Sequence, residues 1–334
     1  MTKNENYSSY LKEKFPIKEE FRERMKELLG KEDSDKFFEI SYTQTPNSIR
    51  CNTLKISVEE LKKRLENYGW KLKQPILNHP EIFTIENKLS PGELGKTKEH
   101  LLGYYYVQEI SSMLPMLILK PQPGELILDL CASPGSKTTQ AATMMNNSGS
   151  IIANEVSMGR IGILSSNLER CGVANTIVTR KEGVALCHKL LKSSKLKFDK
   201  ILLDAPCSGE GTLRKSPKTF LMWNKNMIKK IASTQKNLAD ACIKLLKING
   251  EMIYSTCTLA PEENELIVNY LLEKYDVKIE SISLPLKFRE GVCKWENKTY
   301  SPELKKCLRL YPQDNNTDGF FVSKIKKISD EVKK

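Results

Sequence analysis

From Glu125 onward, short apolar runs alternate with longer amphipathic stretches. The spacing predicts strand 126–130, helix 136–146, strand 150–154, helix 157–171, strand 175–179, helix 184–193, strand 199–203, helix 226–248, strand 251–255 and helix 261–274. Strands alternating with helices imply a mostly parallel sheet covered on both faces. The tail adds two strand-like runs, CLRLYP (307–312) and GFFVSKI (319–325), read as an antiparallel pair at a sheet edge. The chain shows no internal repeat and no low-complexity segment.

Upstream the pattern is different. Residues 16–30 read as a helix, with Pro16 near its start, Gly30 at its end, and Phe21, Met25, Leu28 and Leu29 on one side. Lys31–Asp35 reads as a charged linker. FFEISYTQ (37–44) and SIRCNTLKI (48–56) alternate. A helix is expected from Ser57 to Tyr68, opened by a capping box of Ser57 with Glu60. Strand-like pieces lie near Trp70–Ile76 and Ile82–Ile85. Ser111–Lys120 reads as helix despite Pro115, and Pro121 and Pro123-Gly124 break the chain before the first strand of the α/β pattern. The expected organisation is a helical segment over 1–35, a small α+β unit over 36–105 in the format of an RNA-contacting accessory domain, and a catalytic α/β domain over 106–328.

Charge narrows the partner. The chain has 334 residues with 53 Lys plus Arg against 41 Asp plus Glu, a formal net charge of +12. That balance suits a polyanion, nucleic acid first. Residues 1–100 carry only +2 of it, so the large domain is expected to supply most of the field. The nine cysteines include no Cys-x-x-Cys spacing, so neither zinc nor a disulfide framework is indicated, and no metal is expected. The polar N-terminus lacks an apolar signal core, and no apolar run reaches a membrane span. The expectation is a cytoplasmic monomer in a reducing compartment, with free thiols and no membrane.

The stretch ELILDLCASPGSKTTQ (125–140) is a strand, a glycine turn and a helix start, the place where α/β enzymes bind polar cofactors. It lacks both Gly-x-Gly-x-x-Gly and the P-loop pattern. An acid, Glu155, ends the next strand, where a carboxylate can hold two ribose hydroxyls. A ribose without a phosphate cradle favours S-adenosylmethionine. Glu182, after the third strand, is an adenine-side candidate, and Arg160 is counted among the cofactor contacts.

Two later stretches set a cysteine just past an apolar strand: DAPCSGEG at Asp204–Gly211 and YSTCTLAPEENE at Tyr254–Glu265. Amino-group methyltransferases place an aromatic where Cys207 stands. A cysteine argues for a carbon target, because carbon 5 of a pyrimidine becomes enamine-like once a thiolate adds to carbon 6. The chemistry needs a thiolate, a group to polarise or protonate ring nitrogen 3, and a base for elimination. Cys207, Cys257, Asp204 and Lys137 can supply these, with Lys137 expected to depress a neighbouring thiol. Which cysteine attacks stays open on this reading. Cys131, Cys171, Cys187 and Cys242 read as small buried hydrophobes.

These motifs resemble the Nop/Sun family of RNA cytosine-carbon-5 methyltransferases over roughly residues 45 to 325. LDLCASPGSKTTQ is similar to the family's cofactor loop, IANEVS to its ribose motif, and DAPCSGEGTLRK and YSTCTLAPEENE to its two cysteine motifs; IRCNTLK, GYYYVQEISSMLP and DGFFVSKI are similar to flanking motifs. The resemblance implies a Rossmann-like methyltransferase domain of the α/β class with an antiparallel edge. It implies S-adenosylmethionine lined by Cys131, Ala132, Ser133, Pro134, Gly135, Ser136 and Lys137 with Glu155, Glu182 and Asp204. It also implies Cys257 as nucleophile and Cys207 as the residue assisting product release. Many relatives have Asp where Glu155 and Glu182 stand. The implied substrate is tRNA, with rRNA as the alternative and a non-catalytic RNA-binding scaffold as the third reading. The large helical extension of some rRNA-acting relatives and an extra C-terminal RNA-binding domain are not expected.

Overall fold

The computed structural model describes residues 3–193 and 196–333. It opens with three helices, α1 (Lys3–Lys14), α2 (Glu19–Leu29) and α3 (Lys31–Ser41), the last two meeting at Gly30. Gly30 adopts φ 79°, a left-handed value that reverses the chain between them. The expected linker at Lys31–Asp35 is therefore wrong; it is the first half of α3, and a division at residue 35 falls inside a helix. The reason is spacing. Ser34, Phe37, Phe38 and Ser41 are buried at helical intervals, which a window starting at Phe37 reads as alternation. Phe37 and Phe38 pack with Phe21, Met25, Phe220, Trp223 and Ile228, so these helices share a core with the large domain.

A small antiparallel sheet comes next, in the order β2-β3-β1-β4. Its strands are β1 (Asn47–Cys51), β2 (Leu72–Lys73), β3 (Ile82–Ile85) and β4 (Tyr105–Val107). Helix α4 (Val58–Asn67) covers it with Leu61 and Leu65, and the Ser57 side chain accepts from Glu60 N as the capping pattern requires. Ile49, Trp70, Phe83 and Tyr105 complete this core. Extended structure is shorter than expected at 48–56 and 70–76. Because β4 pairs with β1, a boundary at 105–106 would cut the sheet. Two short turns of helix, α5 (Glu93–Lys96) and α6 (Lys98–Leu101), lead into β4.

Helix α7 (Ile110–Leu119) keeps Pro115 inside it and ends at Lys120 with φ 51°. Then come β5 (Leu126–Asp129), α8 (Ser136–Met144), β6 (Ser150–Asn154), α9 (Met158–Cys171), β7 (Thr176–Thr179), α10 (Gly183–Ser193) and β8 (Phe198–Asp204). Next are α11 (Lys218–Met222), α12 (Lys225–Leu245), β9 (Leu246–Thr256), α13 (Glu265–Lys274) and β10 (Tyr275–Glu280). The tail holds β11 (Arg289–Glu290), the hairpin β12 (Lys294–Trp295) and β13 (Lys298–Thr299), β14 (Leu308–Leu310), α14 (Pro312–Asn315) and β15 (Phe320–Val332).

The large sheet runs β7-β6-β5-β8-β9-β15, with β5 to β9 parallel and β15 antiparallel to β9. The expected tail pair forms, Leu308 opposite Val322. Beyond that expectation, β15 continues to Val332 and pairs its second half with β10. Alternation on the strands splits the interior in two. Leu128, Leu130, Ile201, Leu203, Met252 and Tyr254 pack with α10, α12 and α13. Ile127, Ile151, Leu202 and Ile253 pack with α7 and α8. This is the expected α/β architecture with both faces covered. It leaves the carboxyl ends of β5, β6, β8 and β9 as the one edge where loops can converge. Among the described residues, no helix is long and apolar enough to cross a membrane.

Candidate active site

The loop after β5 turns at Gly135, whose φ of 100° suits only glycine and where an added Cβ would meet Leu164 Cδ1 at 3.0 Å. The Ser133–Pro134 peptide is cis. Ser133 Oγ donates to the carbonyl of Arg160, and Arg160 Nη2 donates back to the Ser133 carbonyl at 2.7 Å. The other Arg160 nitrogen lies 3.3 Å from the carboxylate of the buried Glu155. Glu155 also accepts the Ser157 N–H at 2.9 Å. The loop, Glu155 and Arg160 are thus one connected wall.

Two more carboxylates, Asp129 and Asp204, stand beside Glu155 at this wall. Asp129 at the end of β5 is buried, accepts from Thr138 Oγ1 at 2.7 Å, and has a second oxygen with no partner among the described residues. Burial pushes its carboxyl up to about 7. Burial also pushes the Cys131 thiol up; the negative charges of Asp129, Asp204 and Glu155 add to that push and Arg160 opposes it. All three acids therefore surround one sulfur. An orphaned buried carboxylate oxygen beside two further acids, with no phosphate cradle, fits a cationic nucleoside such as S-adenosylmethionine. Ala132 and Ser133 line the buried part of the loop.

Glu182 is turned differently. It is exposed, and its two oxygens accept the N–H groups of Val184 and Ala185, at 3.1 and 2.8 Å, at the start of α10. The structure spends this carboxylate on its own helix and does not bring it among the other acids.

The reacting groups stand beside this pocket. Asp204, closing β8, is held on both oxygens: Ser255 Oγ donates to Oδ1 at 2.7 Å and Lys137 Nζ lies 2.7 Å from Oδ2. Lys137 is buried, donates to Ser112 Oγ at 3.0 Å, and sits 5.8 Å from the centre of the Phe320 ring. Cys207 and Cys257 are free thiols whose sulfurs are 2.9 Å apart. Contact with Cys257 and then burial push the Cys207 thiol well up, with Glu263 and Asp204 adding repulsion. Lys137 pairs with Asp204, and the shift at Cys207 is upward, against the expected depression of a thiol.

Several residues that hold the site were not singled out from sequence. Gly211 N donates to the Cys257 carbonyl at 2.9 Å and Gly319 N donates to the Gly211 carbonyl at 2.8 Å, which stitches three loops together. Ser208 Oγ bonds Thr258 Oγ1 at 2.7 Å. Glu263 accepts the Ser208 N–H at 3.0 Å and Gln235 Nε2 at 2.9 Å, while Gln235 also reaches the Pro206 carbonyl at 2.8 Å. From the small sheet, Arg50 donates to Thr139 Oγ1 at 2.9 Å and to the Ser136 carbonyl at 3.3 Å, and Tyr106 OH donates to the Pro134 carbonyl at 3.3 Å. Glu263 and Tyr106 lie inside motifs already quoted. Their roles have no local signature, because each acts on a segment distant in sequence. Among the described residues, no cluster of three or more His, Cys, Asp or Glu side chains could hold a metal.

A strand-ordered sheet with this acidic nucleoside pocket defines a Rossmann-like, S-adenosylmethionine-dependent methyltransferase, and two cysteines at its edge mark carbon methylation. Residues 116–326 match the family described as 16S rRNA methyltransferase RsmB/F, and residues 17–110 match the N-terminal domain of 16S rRNA methyltransferase RsmF. The chain belongs to this RsmB/F family of RNA methyltransferases, as the resemblance to Nop/Sun enzymes anticipated. It is 42% identical to the tRNA (cytosine(49)-C(5))-methyltransferase of Pyrococcus abyssi, over 93% of this chain and 98% of that one. It is 40% identical to the ribosomal RNA small subunit methyltransferase F of Vibrio campbellii, over 94% of this chain but 64% of that longer one. Among solved structures, a methyltransferase homolog protein from Pyrococcus horikoshii superposes with a TM-score of 0.83 at 34% identity, covering 95% of this chain and 98% of that one. NSun6 from Pyrococcus horikoshii with SFG, an S-adenosylmethionine analogue, superposes at 0.78 with 26% identity, over 92% and 98%.

Proposed function

We propose that this protein methylates carbon 5 of a cytidine in tRNA, through a covalent bond between Cys257 and carbon 6, as a cytoplasmic monomer. The observation that carries this reading is the Cys207–Cys257 sulfur pair, 2.9 Å apart beside the Lys137–Asp204 ion pair. S-adenosylmethionine, when bound, supplies the methyl group as an electrophile. Cys131 to Lys137, Asp129, Glu155 with Arg160, and Asp204 are the residues that would hold it, with Glu182 at most a second contact.

The roles rest on the protonation of the pair. Contact with Cys257 and burial push the Cys207 thiol up, which favours its protonated form before the reaction. Cys257 gives its proton to solvent, and its sulfur adds to carbon 6. The electron pair from the ring's 5,6 double bond moves toward nitrogen 3, where Asp204, steadied by Lys137 and Ser255, handles the proton. Carbon 5 becomes nucleophilic and takes the methyl. With Cys257 bonded to carbon 6, the contact that most holds the Cys207 proton is gone; Cys207 gives that proton to solvent and removes the carbon 5 proton. The Cys257–carbon 6 bond breaks, and its electrons return to Cys257. Support for tRNA comes from the relative named tRNA (cytosine(49)-C(5))-methyltransferase, 42% identical over 98% of its own length.

The test is chemical. Cys257→Ala abolishes methyl transfer and forms no adduct, whereas Cys207→Ala traps a protein–RNA adduct that survives denaturing electrophoresis. An adduct with Cys257→Ala and none with Cys207→Ala would reverse the roles. Bisulfite sequencing of tRNA and rRNA from a deletion strain separates the substrates, and a strain that loses no methylated cytidine would sink the enzymatic reading.

A further inference from the structure

From Gly211 to Ala239 the chain has 29 residues, seven Lys or Arg and no Asp or Glu. This one segment carries +7 of the net +12. The three-loop stitch of the site starts in it, since Gly211 bonds both Cys257 and Gly319. The segment then forms α11 and the first two-thirds of α12.

Its place in the fold is fixed from both ends. Phe220, Trp223 and Ile228 are buried against the N-terminal helices, which anchor α11 and the start of α12. Further along, Gln235 ties α12 to the Pro206 carbonyl, one residue before Cys207. Helix α12 has 21 residues, roughly 30 Å at 1.5 Å per residue, and Gln235 stands at its middle. Its N-terminal half thus flanks the loop that bears Cys207. Lys225, Lys229 and Lys236 recur at helical spacing, on a stripe about 100° around the axis from Gln235.

Part of this charge is free; Lys225 pairs with Glu20 at 3.4 Å and Lys236 lies 4.1 Å from the centre of the Tyr270 ring. Lys218, Lys229 and Lys230 are exposed and make no ion pair among the described residues. Arg214 and Lys215 behave otherwise: the first is buried on backbone carbonyls and the second pairs with Asp318 at 2.8 Å. Helix α11 also turns Leu221 and Met222 to solvent, 45% and 65% exposed, between Lys218 and Lys225. Unpaired lysines around exposed apolar side chains suit a phosphate backbone with a base laid against the apolar tip.

We infer that α11 and the N-terminal half of α12 form the surface that docks the substrate RNA beside the cysteine pair, Lys218, Lys229 and Lys230 contacting phosphates and Leu221 and Met222 a base. This rests on the proposed RNA methylation and gives it a location. By contrast the small sheet unit, residues 36–105, carries 11 basic and 8 acidic residues, a much weaker field.

The experiment uses the full chain and an unmodified tRNA transcript. Lys218→Gln/Lys229→Gln/Lys230→Gln is expected to weaken binding about tenfold or more at low salt. It should also lower the slope of log affinity against log salt by about 2 to 3. KM for the transcript rises, while kcat and S-adenosylhomocysteine affinity stay at wild-type values. Leu221→Ser/Met222→Ser weakens binding several-fold with the salt slope unchanged. A triple variant with wild-type affinity and slope would overturn the docking surface, and an apolar pair variant with wild-type affinity would overturn the base contact. Wild-type protein that binds the transcript with the steep slope but never methylates it would defeat the proposed reaction and leave this surface standing.

Discussion

Glu263 offers the sharpest test of how the site is built. Its carboxylate is fully buried; one oxygen takes the Ser208 N–H and Gln235 Nε2, and the other has no partner among the described residues. Burial outweighs those bonds and raises its pKa from 4.5 to about 7. The sign is set by that direction. Between pH 4.5 and 7 the folded protein holds a proton that the unfolded chain has lost, so stability falls as pH rises through that window. A shift of about 2.5 units at 1.36 kcal/mol each gives a loss of about 3 kcal/mol, complete above pH 7. Glu263→Gln keeps an oxygen for Ser208 and Gln235, places an uncharged amide where the partnerless oxygen sits, and does not titrate. In urea unfolding, wild type and variant should be close at about pH 4.5, and the variant should gain about 3 kcal/mol on wild type by about pH 8. Asp129, pushed the same way, is present in both proteins and cancels in the comparison. Equal pH slopes for the two proteins would refute the reasoning.

Three further outcomes are expected from the same geometry. Arg309→Ala strands the fully buried Glu265, which now takes both forks of that guanidinium, and should cost about 3–5 kcal/mol, read as a fall in Tm on the order of 10 °C. Gly211→Ala forces a Cβ to 2.1 Å from the Gly319 carbonyl oxygen, so kcat should drop at least tenfold while far-ultraviolet dichroism stays native. Glu155→Ala should weaken S-adenosylhomocysteine at least tenfold by calorimetry, whereas Glu182→Ala, whose carboxylate caps α10, should weaken it less than threefold.

Much of this was legible in the chain. The β5 to β9 core was readable because each strand is apolar on both faces and each helix shows its own period, which needs only local information. That residues 131–137, Glu155, Asp204 and both cysteines would share one edge was readable for a related reason: all lie at strand ends, and the parallel topology sends strand ends to one edge. What stayed hidden was non-local. Helix α3 was masked because two of its buried positions, Ser34 and Ser41, are polar. Strand β10 and the second half of β15 are half-polar edge pairings, such as Lys278 opposite Lys326, with no apolar run to mark them. A strand-end acid can serve a ligand or cap the next helix, and only the structure shows that Glu182 places both oxygens on the start of α10.

The small sheet does more than precede the catalytic domain. Arg50 is buried yet makes no ion pair among the described residues; its forks end on Gln108, Thr139 and the Ser136 carbonyl. Burial lowers it to about 10, so it remains charged at neutral pH. Removing that guanidinium would unlatch the start of α8 from β1, and Lys137 is the next residue after Ser136. Tyr106 holds Pro134 from the neighbouring strand β4, two residues earlier on the same loop. Two strands of one unit therefore grip both sides of Gly135, the turn that aims Lys137 at Asp204. A movement of the small sheet against α8 would therefore shift the same few backbone atoms that set Lys137 against Asp204.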